Sequence, residues 1–170
     1  MLACAGVACC RSLAAKTEIP NLKREVAMAE DNRAILERAV NEMLNGRNLA
    51  LVETLFAQGY VYHGPGGLEV RGPEGFKQLL NVYLNAFPDV KFTIEDTVAG
   101  GDKIAWRWTM RGTHKGDLMG IAPTGKTVTI TGIVVSRYSG GKVIEDWESF
   151  DEVGMLRQLG VAAIPAAAHA

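Results

Sequence analysis

The hydrophobic pattern changes period once, near Pro88, and that change decides most of what the chain can become. Before it, apolar residues recur at spacings of three and four. Ile35, Leu36, Ala39, Val40, Met43 and Leu44 form one run; Phe76, Leu79, Leu80, Tyr83, Leu84 and Phe87 form another. Such spacing lays one apolar stripe along an α-helix. Pro88 cannot continue the second run as helix. After Asp89 the sequence alternates almost residue by residue as far as Phe150, the period of a half-buried strand. Helices followed by strands, without βαβ alternation, predict an α+β domain with helices packed on one side of a sheet.

In order, Asp31 is the expected N-cap of the first helix and Asn45-Gly46 its end. Asn48 to Phe56 reads as a second short helix, with Leu51, Val52, Leu55 and Phe56 inward. Gly59 to His63 is a small strand carrying Tyr60 and Tyr62 on one face and Val61 and His63 on the other. Gly64-Pro65-Gly66-Gly67 breaks the chain, and Gly72-Pro73-Glu74 opens the third helix. Four strands are expected over Val90 to Val98, Lys103 to His114, Thr127 to Tyr138 and Val143 to Phe150. Gly100-Gly101-Asp102 and Gly140-Gly141 supply hairpin turns. Leu118, Met119 and Ile121 sit on the intervening loop, Gly116 to Lys126, as an anchor or a binding lip. Asp151 is placed to cap a last helix through Met155, Leu156 and Leu159. The expected architecture is a cone of three N-terminal helices over a curved, mostly antiparallel sheet of four to five strands. Its mouth is a natural small-molecule pocket.

Composition excludes several function classes. The 170 residues carry a formal net charge of -1, so no basic field favours nucleic acid or an anionic membrane. No apolar run approaches the roughly 20 residues of a membrane helix. Cys4, Cys9 and Cys10 all lie in the first ten residues, and His63, His114 and His169 are widely separated. Neither a disulfide framework nor a metal-ligand spacing is expected, and no cofactor. Residues 1–28 read as an extension outside the fold, residues 29–161 as the domain, and residues 162–170 as a disordered tail. For the extension, an organellar transit peptide and a start at Met28 both remain open. The location is accordingly read as cytoplasmic, or organellar if that segment is a transit peptide.

The chemistry concentrates in the last strand, Val143 to Phe150. Alternation puts Ile144, Asp146, Glu148 and Phe150 on one face and Val143, Glu145, Trp147 and Ser149 on the other. Two carboxyl groups between apolar neighbours on a concave face would repel one another and lose hydration. At least one would then titrate near neutrality, as proton-transfer chemistry requires. On an exposed edge strand, the same two acids would simply be solvated. Trp106, Trp108 and Met110 share a face that would wall an apolar pocket. Tyr62 and Tyr83 could donate to an oxyanion or serve as core rings; His63 could polarise a carbonyl at the mouth or bond to backbone in its turn.

Three stretches carry a family resemblance. Met110-Arg111-Gly112-Thr113-His114-Lys115-Gly116-Asp117-Leu118-Met119-Gly120-Ile121, followed by Pro123-Thr124-Gly125-Lys126, resembles the SnoaL-like polyketide cyclase (ester cyclase) family. So do Gly141-Lys142-Val143-Ile144-Glu145-Asp146-Trp147 and Leu156-Arg157-Gln158-Leu159-Gly160. The resemblance runs from about Asp31 to Val161. It implies the cone-shaped fold shared with nuclear transport factor 2, ketosteroid isomerase and limonene epoxide hydrolase. It also implies an acid on the last strand that moves a proton during ring closure, at the position of Glu148 here, with Asp146 beside it. His114 lies in the family-like loop. The family's polar pocket residues on the preceding strand correspond to Gly132 and Val134, a departure that leaves the polyketide substrate in question.

The leading expectation is cofactor-free acid/base chemistry on a small hydrophobic carbonyl compound, with Glu148 and Asp146 at its centre. The pocket would be drawn from His63, Tyr62, Tyr83, Trp106, Trp108, Met110, His114, Val134 and Phe150. A non-catalytic binding or dimerisation module of the same fold is the alternative. Epoxide hydrolase-like and ketosteroid isomerase-like enzymes rank lower; the former needs a pocket arginine, and Arg107 and Arg111 alternate away. Trp147 on the convex side, with Thr131, Ile133 and Arg137, suggests a homodimer through that face.

Overall fold

The computed structural model describes residues 20–161. Helix α1 (Pro20–Arg38) runs directly into a wider, π-helical segment, Ala39–Asn45. The helix therefore begins eleven residues before the expected cap, and Asp31 is an exposed residue within it. Good helix formers such as Leu22, Lys23, Ala27, Met28 and Ala29 extend it, with Pro20 at its first position. From Glu25, where burial is described, the first buried residue is Asn32, followed by Leu36, Ala39, Val40, Met43 and Leu44. Asn45 pins this end to the sheet by accepting from Phe92 N at 2.8 Å and donating to Phe92 O at 3.0 Å.

Helix α2 is only Leu51–Leu55, and Phe56 opens strand β1 (Phe56–His63) instead of closing the helix. Pairing with the last strand overrides local helical spacing there. Phe56 also packs against Tyr60 and Phe76, with ring centroids 4.8 and 4.9 Å away. A three-residue strand, β2 (Glu69–Arg71), was not legible in the local pattern. It precedes α3 (Gly72–Ala86), which carries Pro73 near its start and ends before Pro88.

Strands β3 (Lys91–Gly100), β4 (Lys103–Thr113), β5 (Thr127–Ser139) and β6 (Lys142–Phe150) form an antiparallel meander. The complete sheet has six strands in the order β2-β1-β6-β5-β4-β3, with β1 parallel to β6 and every other pair antiparallel. Gly140 and Gly141 turn the β5–β6 hairpin with φ of 57° and 73°, a pair of left-handed positions that glycine occupies without strain. Asp151 caps α4 (Glu152–Leu159) by accepting from Gly154 N at 2.8 Å.

One register irregularity re-aims the last strand. Arg137 pairs with Glu145, but Tyr138 pairs with Val143, so Ile144 has no opposite residue. This bulge turns Val143 inward. Val143 is 3% exposed and lines the same cavity as Asp146 and Glu148, contrary to simple alternation. Downstream of the bulge, the alternation holds. On the loop after β4, Leu118 is the anchor at 2% exposure, whereas Met119 stands out at 62%.

Candidate functional site

The helices and the concave sheet face line a partly open cavity of about 120 Å³. Its walls are almost wholly apolar: Leu36, Met43, Phe76, Leu80, Phe92 and Ile130 are among them. Asp146 and Glu148 enter from β6. Because they are two residues apart beyond the bulge, the sheet pleat delivers both to one side.

Asp146 is 8% exposed and accepts a 2.7 Å hydrogen bond from Tyr60 Oη on its Oδ2; Oδ1 has no partner. Burial pushes its carboxyl from the ordinary 3.8 up to about 6, while the Ser136 and Tyr60 hydroxyls pull it back. Ser136 faces Asp146 directly across the β5–β6 ladder and accepts from Trp106 Nε1 at 3.1 Å. Glu148 accepts a 2.5 Å hydrogen bond from Tyr62 Oη on Oε2. Burial pushes Glu148 from 4.5 up to about 7; the Tyr62 hydrogen bond lowers it, the neighbouring Asp146 charge raises it, and the Trp108 indole lowers it slightly. The indole makes no hydrogen bond of normal geometry, since Trp108 Nε1 is buried without a partner. Its influence on Glu148 is therefore one of proximity.

The phenols remain donors throughout the neutral range. Burial, then the Glu148 charge, drives the Tyr62 hydroxyl far above its usual value. Burial and the charges of Glu152 and Glu148 push Tyr83 up to about 12. Tyr83 packs edge-on against Phe150, with centroids 6.4 Å apart. The arrangement thus offers an acid poised near neutrality, a second buried acid beside it, and phenol donors, all in a largely apolar cavity. Such a site can hand a proton to, or take one from, a carbon or oxygen of an apolar ligand.

The structure gathers Tyr62, Tyr83, Trp106, Trp108, Met110, Val134, Asp146, Glu148 and Phe150 around the cavity. Both tryptophans face it, as their shared place in the β4 alternation implies. Two expected pocket residues lie elsewhere. His63 is on the opposite sheet face, as its alternation with Tyr62 dictates; its Nε2 is 3.0 Å from Glu145 Oε1 and its ring stacks on Trp147 at 5.6 Å. His114 is fully buried at the end of β4, where Nδ1 accepts from Thr124 N at 3.2 Å and the ring packs on Phe87. It staples the loop to the strand and does not reach the cavity. Tyr60, Ser136 and Tyr138 were missed. Tyr60 shares a strand face with Tyr62, and Ser136 and Tyr138 share one with Val134, so the signal was present in the alternation.

Arg107 is exposed and paired with Asp96 at 2.8 Å, and no arginine lines the cavity among the described residues. Among these residues no cluster of three His, Cys, Asp or Glu side chains could hold a metal. Among the described residues no helix is long and apolar enough to cross a membrane.

Residues 34–159 match the profile of the SnoaL-like polyketide cyclase family. The chain belongs to this family. Wild-type IdmH of Streptomyces antibioticus, a candidate polyketide cyclase, is 33% identical; the match covers 76% of this chain and 98% of that one, with a TM-score of 0.67. AclR of Streptomyces galilaeus, a candidate hydroxylase, is 28% identical over 82% of this chain and 91% of its own, with a TM-score of 0.71. A protein of Catenulispora acidiphila with a ketosteroid isomerase-like fold, solved with trimethylamine, shares 19% identity and a TM-score of 0.64. That match covers 77% of this chain and 97% of the other, and at this identity it speaks to the fold alone. No curated protein matches the sequence. This SnoaL-like chain accordingly has the α+β cone of the nuclear transport factor 2-like fold.

Proposed function

We propose that this SnoaL-like protein carries out cofactor-independent acid/base chemistry on a small hydrophobic carbonyl compound, with Glu148 as the proton-transfer residue. The observation that carries this reading is the pair Asp146 and Glu148 on the wall of an otherwise apolar cavity, with Glu148 pushed up to about 7. An acid with that affinity for protons is half-loaded at neutral pH and can both give and accept. Asp146 acts on it electrostatically. Its negative charge disfavours ionisation of Glu148, while Tyr60 and Ser136 hold Asp146 in place. Tyr62 orients the Glu148 carboxyl and leaves Oε1 to the ligand.

The binding-module reading predicts ligand capture without turnover and indifference of binding to the Glu148 proton. A ligand screen read by native mass spectrometry, followed by turnover assays on each hit, separates the two. Glu148→Gln should abolish turnover while preserving the fold. Full activity in that variant would make the acid a binding or structural group.

The same reading includes a homodimer through the convex sheet face. Ile133 and Trp147 are 49% and 37% exposed there, beside Thr131 and Arg137. The family match over residues 34–159 supports a domain spanning about 29–161, with the preceding residues as an extension.

A further inference from the structure

Trp108 and Gly132 face one another across the β4–β5 ladder. Gly132 has no left-handed backbone angle, so conformation does not demand glycine at this point; space does. A Cβ on Gly132 would stand 2.4 Å from Cζ2 and 2.6 Å from Cε2 of Trp108, and 2.9 Å from Cβ of Phe150. Each distance is well inside van der Waals contact, so the indole occupies the place of the missing side chain. Phe92 and Phe150 hold it from either side, with ring centroids 5.6 and 6.1 Å away.

Two consequences follow for a ligand. The indole fills a section of the cone that a smaller residue would leave open, and what remains is about 120 Å³. An apolar cavity of roughly 150 Å³ accommodates benzene, so the inner space holds about one ring, and a second would extend toward the open side of the cavity. The indole N–H is also left without a partner in a residue only 4% exposed. A buried donor is normally satisfied; the nearest acceptor in the chain is the Glu148 carboxyl, whose pKa the indole lowers, and a ligand carbonyl beside Glu148 would compete for the same N–H. The two acids on the wall, with no arginine or lysine lining the cavity among the described residues, oppose an anionic ligand.

We propose that Trp108, seated on Gly132, selects a compact, uncharged, largely hydrocarbon ligand of one or two rings whose single carbonyl oxygen accepts the indole N–H beside Glu148. This deepens the acid/base reading and rests on it for the cavity being a ligand site. Trp108 then determines specificity twice, by excluding larger ring systems and by positioning the carbonyl next to the acid.

Three probes test this: 1-tetralone, tetralin and progesterone. The first two share a two-ring skeleton with and without the carbonyl, and the third is a four-ring ketone. Affinity is read by titration calorimetry, and the Trp108 indole N–H by its ¹⁵N-correlated resonance, assigned through its loss in Trp108→Phe. In the wild-type protein 1-tetralone should bind and move that resonance downfield. Tetralin should bind about tenfold more weakly, as expected for one lost hydrogen bond, and leave the resonance in place. Progesterone should not bind. Trp108→Phe should abolish the preference for ketone over hydrocarbon. Gly132→Ala, which displaces the indole but keeps it, should do the same, so the test survives if either variant fails to fold. Equal binding of tetralone and tetralin, a static indole resonance, or progesterone binding as tightly as tetralone would overturn the proposal while leaving the acid/base reading standing. If no probe binds the wild-type protein, the proposed ligand class is wrong, and the Glu148 titration decides the acid/base reading separately.

Discussion

Tyr62 donates its hydroxyl to Glu148 Oε2 at 2.5 Å, reaching across the only parallel strand pair among the described residues. Residues 86 positions apart in the chain are thereby fixed to one another by the register of β1 against β6. The bond favours the ionised form of Glu148 and opposes the effect of burial. Tyr62→Phe keeps the ring against Phe76 and removes the donor. Glu148 should then titrate above about 7, and the basic limb of a pH–rate profile should move to higher pH. The fold should lose about 1 kcal/mol, measured by urea unfolding. An unmoved profile would mean that Tyr62 does not tune the acid.

The two buried acids should make the protein less stable in mildly alkaline solution than in mildly acidic solution. Their folded-state pKa values are raised, from 3.8 to about 6 for Asp146 and from 4.5 to about 7 for Glu148. The native state therefore binds protons more tightly than the unfolded chain. This contribution is fully present below about pH 4 and is lost as pH rises through about 6 and 7. For each acid the loss is roughly 3 kcal/mol. Asp89 and Glu145 are shifted downward, by the Thr113 amide and by His63 respectively, so their effect falls in more acidic solution. Urea midpoints should drop between pH 5 and pH 8 in the wild type. Asp146→Asn should flatten that drop and raise stability at pH 8. A wild-type midpoint independent of pH across this window would contradict the burial of the pair.

Much of this site can be read from alternation alone. Asp146, Glu148 and Phe150 share the inner side of β6, Trp106, Trp108 and Met110 share that of β4, and the period change near Pro88 separates the helical layer from the meander. What cannot be read locally is register. The parallel pairing of β1 with β6 brings Tyr60 and Tyr62 to the acids, yet their sequence neighbourhood contains no trace of β6. The bulge at Ile144 depends on how β5 and β6 are aligned, so it reverses the facing of Val143 without any local breaker. His63 illustrates the opposite failure. Its facing followed from its own strand, and a chemical preference for histidine in a pocket overrode that constraint. His114 was misplaced because the end of β4 passes under its loop, a tertiary arrangement set by Thr124 and Phe87.

The convex face carries its own test. Ile133 is 49% exposed in the middle of the sheet, and Trp147 stacks on His63 with Lys103 Nζ 5.3 Å above its ring. Ile133→Asp places a charge at the centre of the proposed dimer interface without touching the cavity. Sedimentation should change from a dimer to a monomer at micromolar concentration, while ligand binding persists. A wild-type protein that sediments as a monomer would remove the interface.

The most direct test is the pKa of Glu148 itself, followed by ¹³C NMR of its side-chain carboxyl from pH 3 to 9, with the resonance assigned by its absence in Glu148→Gln. The account predicts a midpoint at about 7, falling in Asp146→Asn as the neighbouring charge is removed. A midpoint near the ordinary 4.5 in the wild type would show a solvated carboxylate and contradict acid/base chemistry at this position.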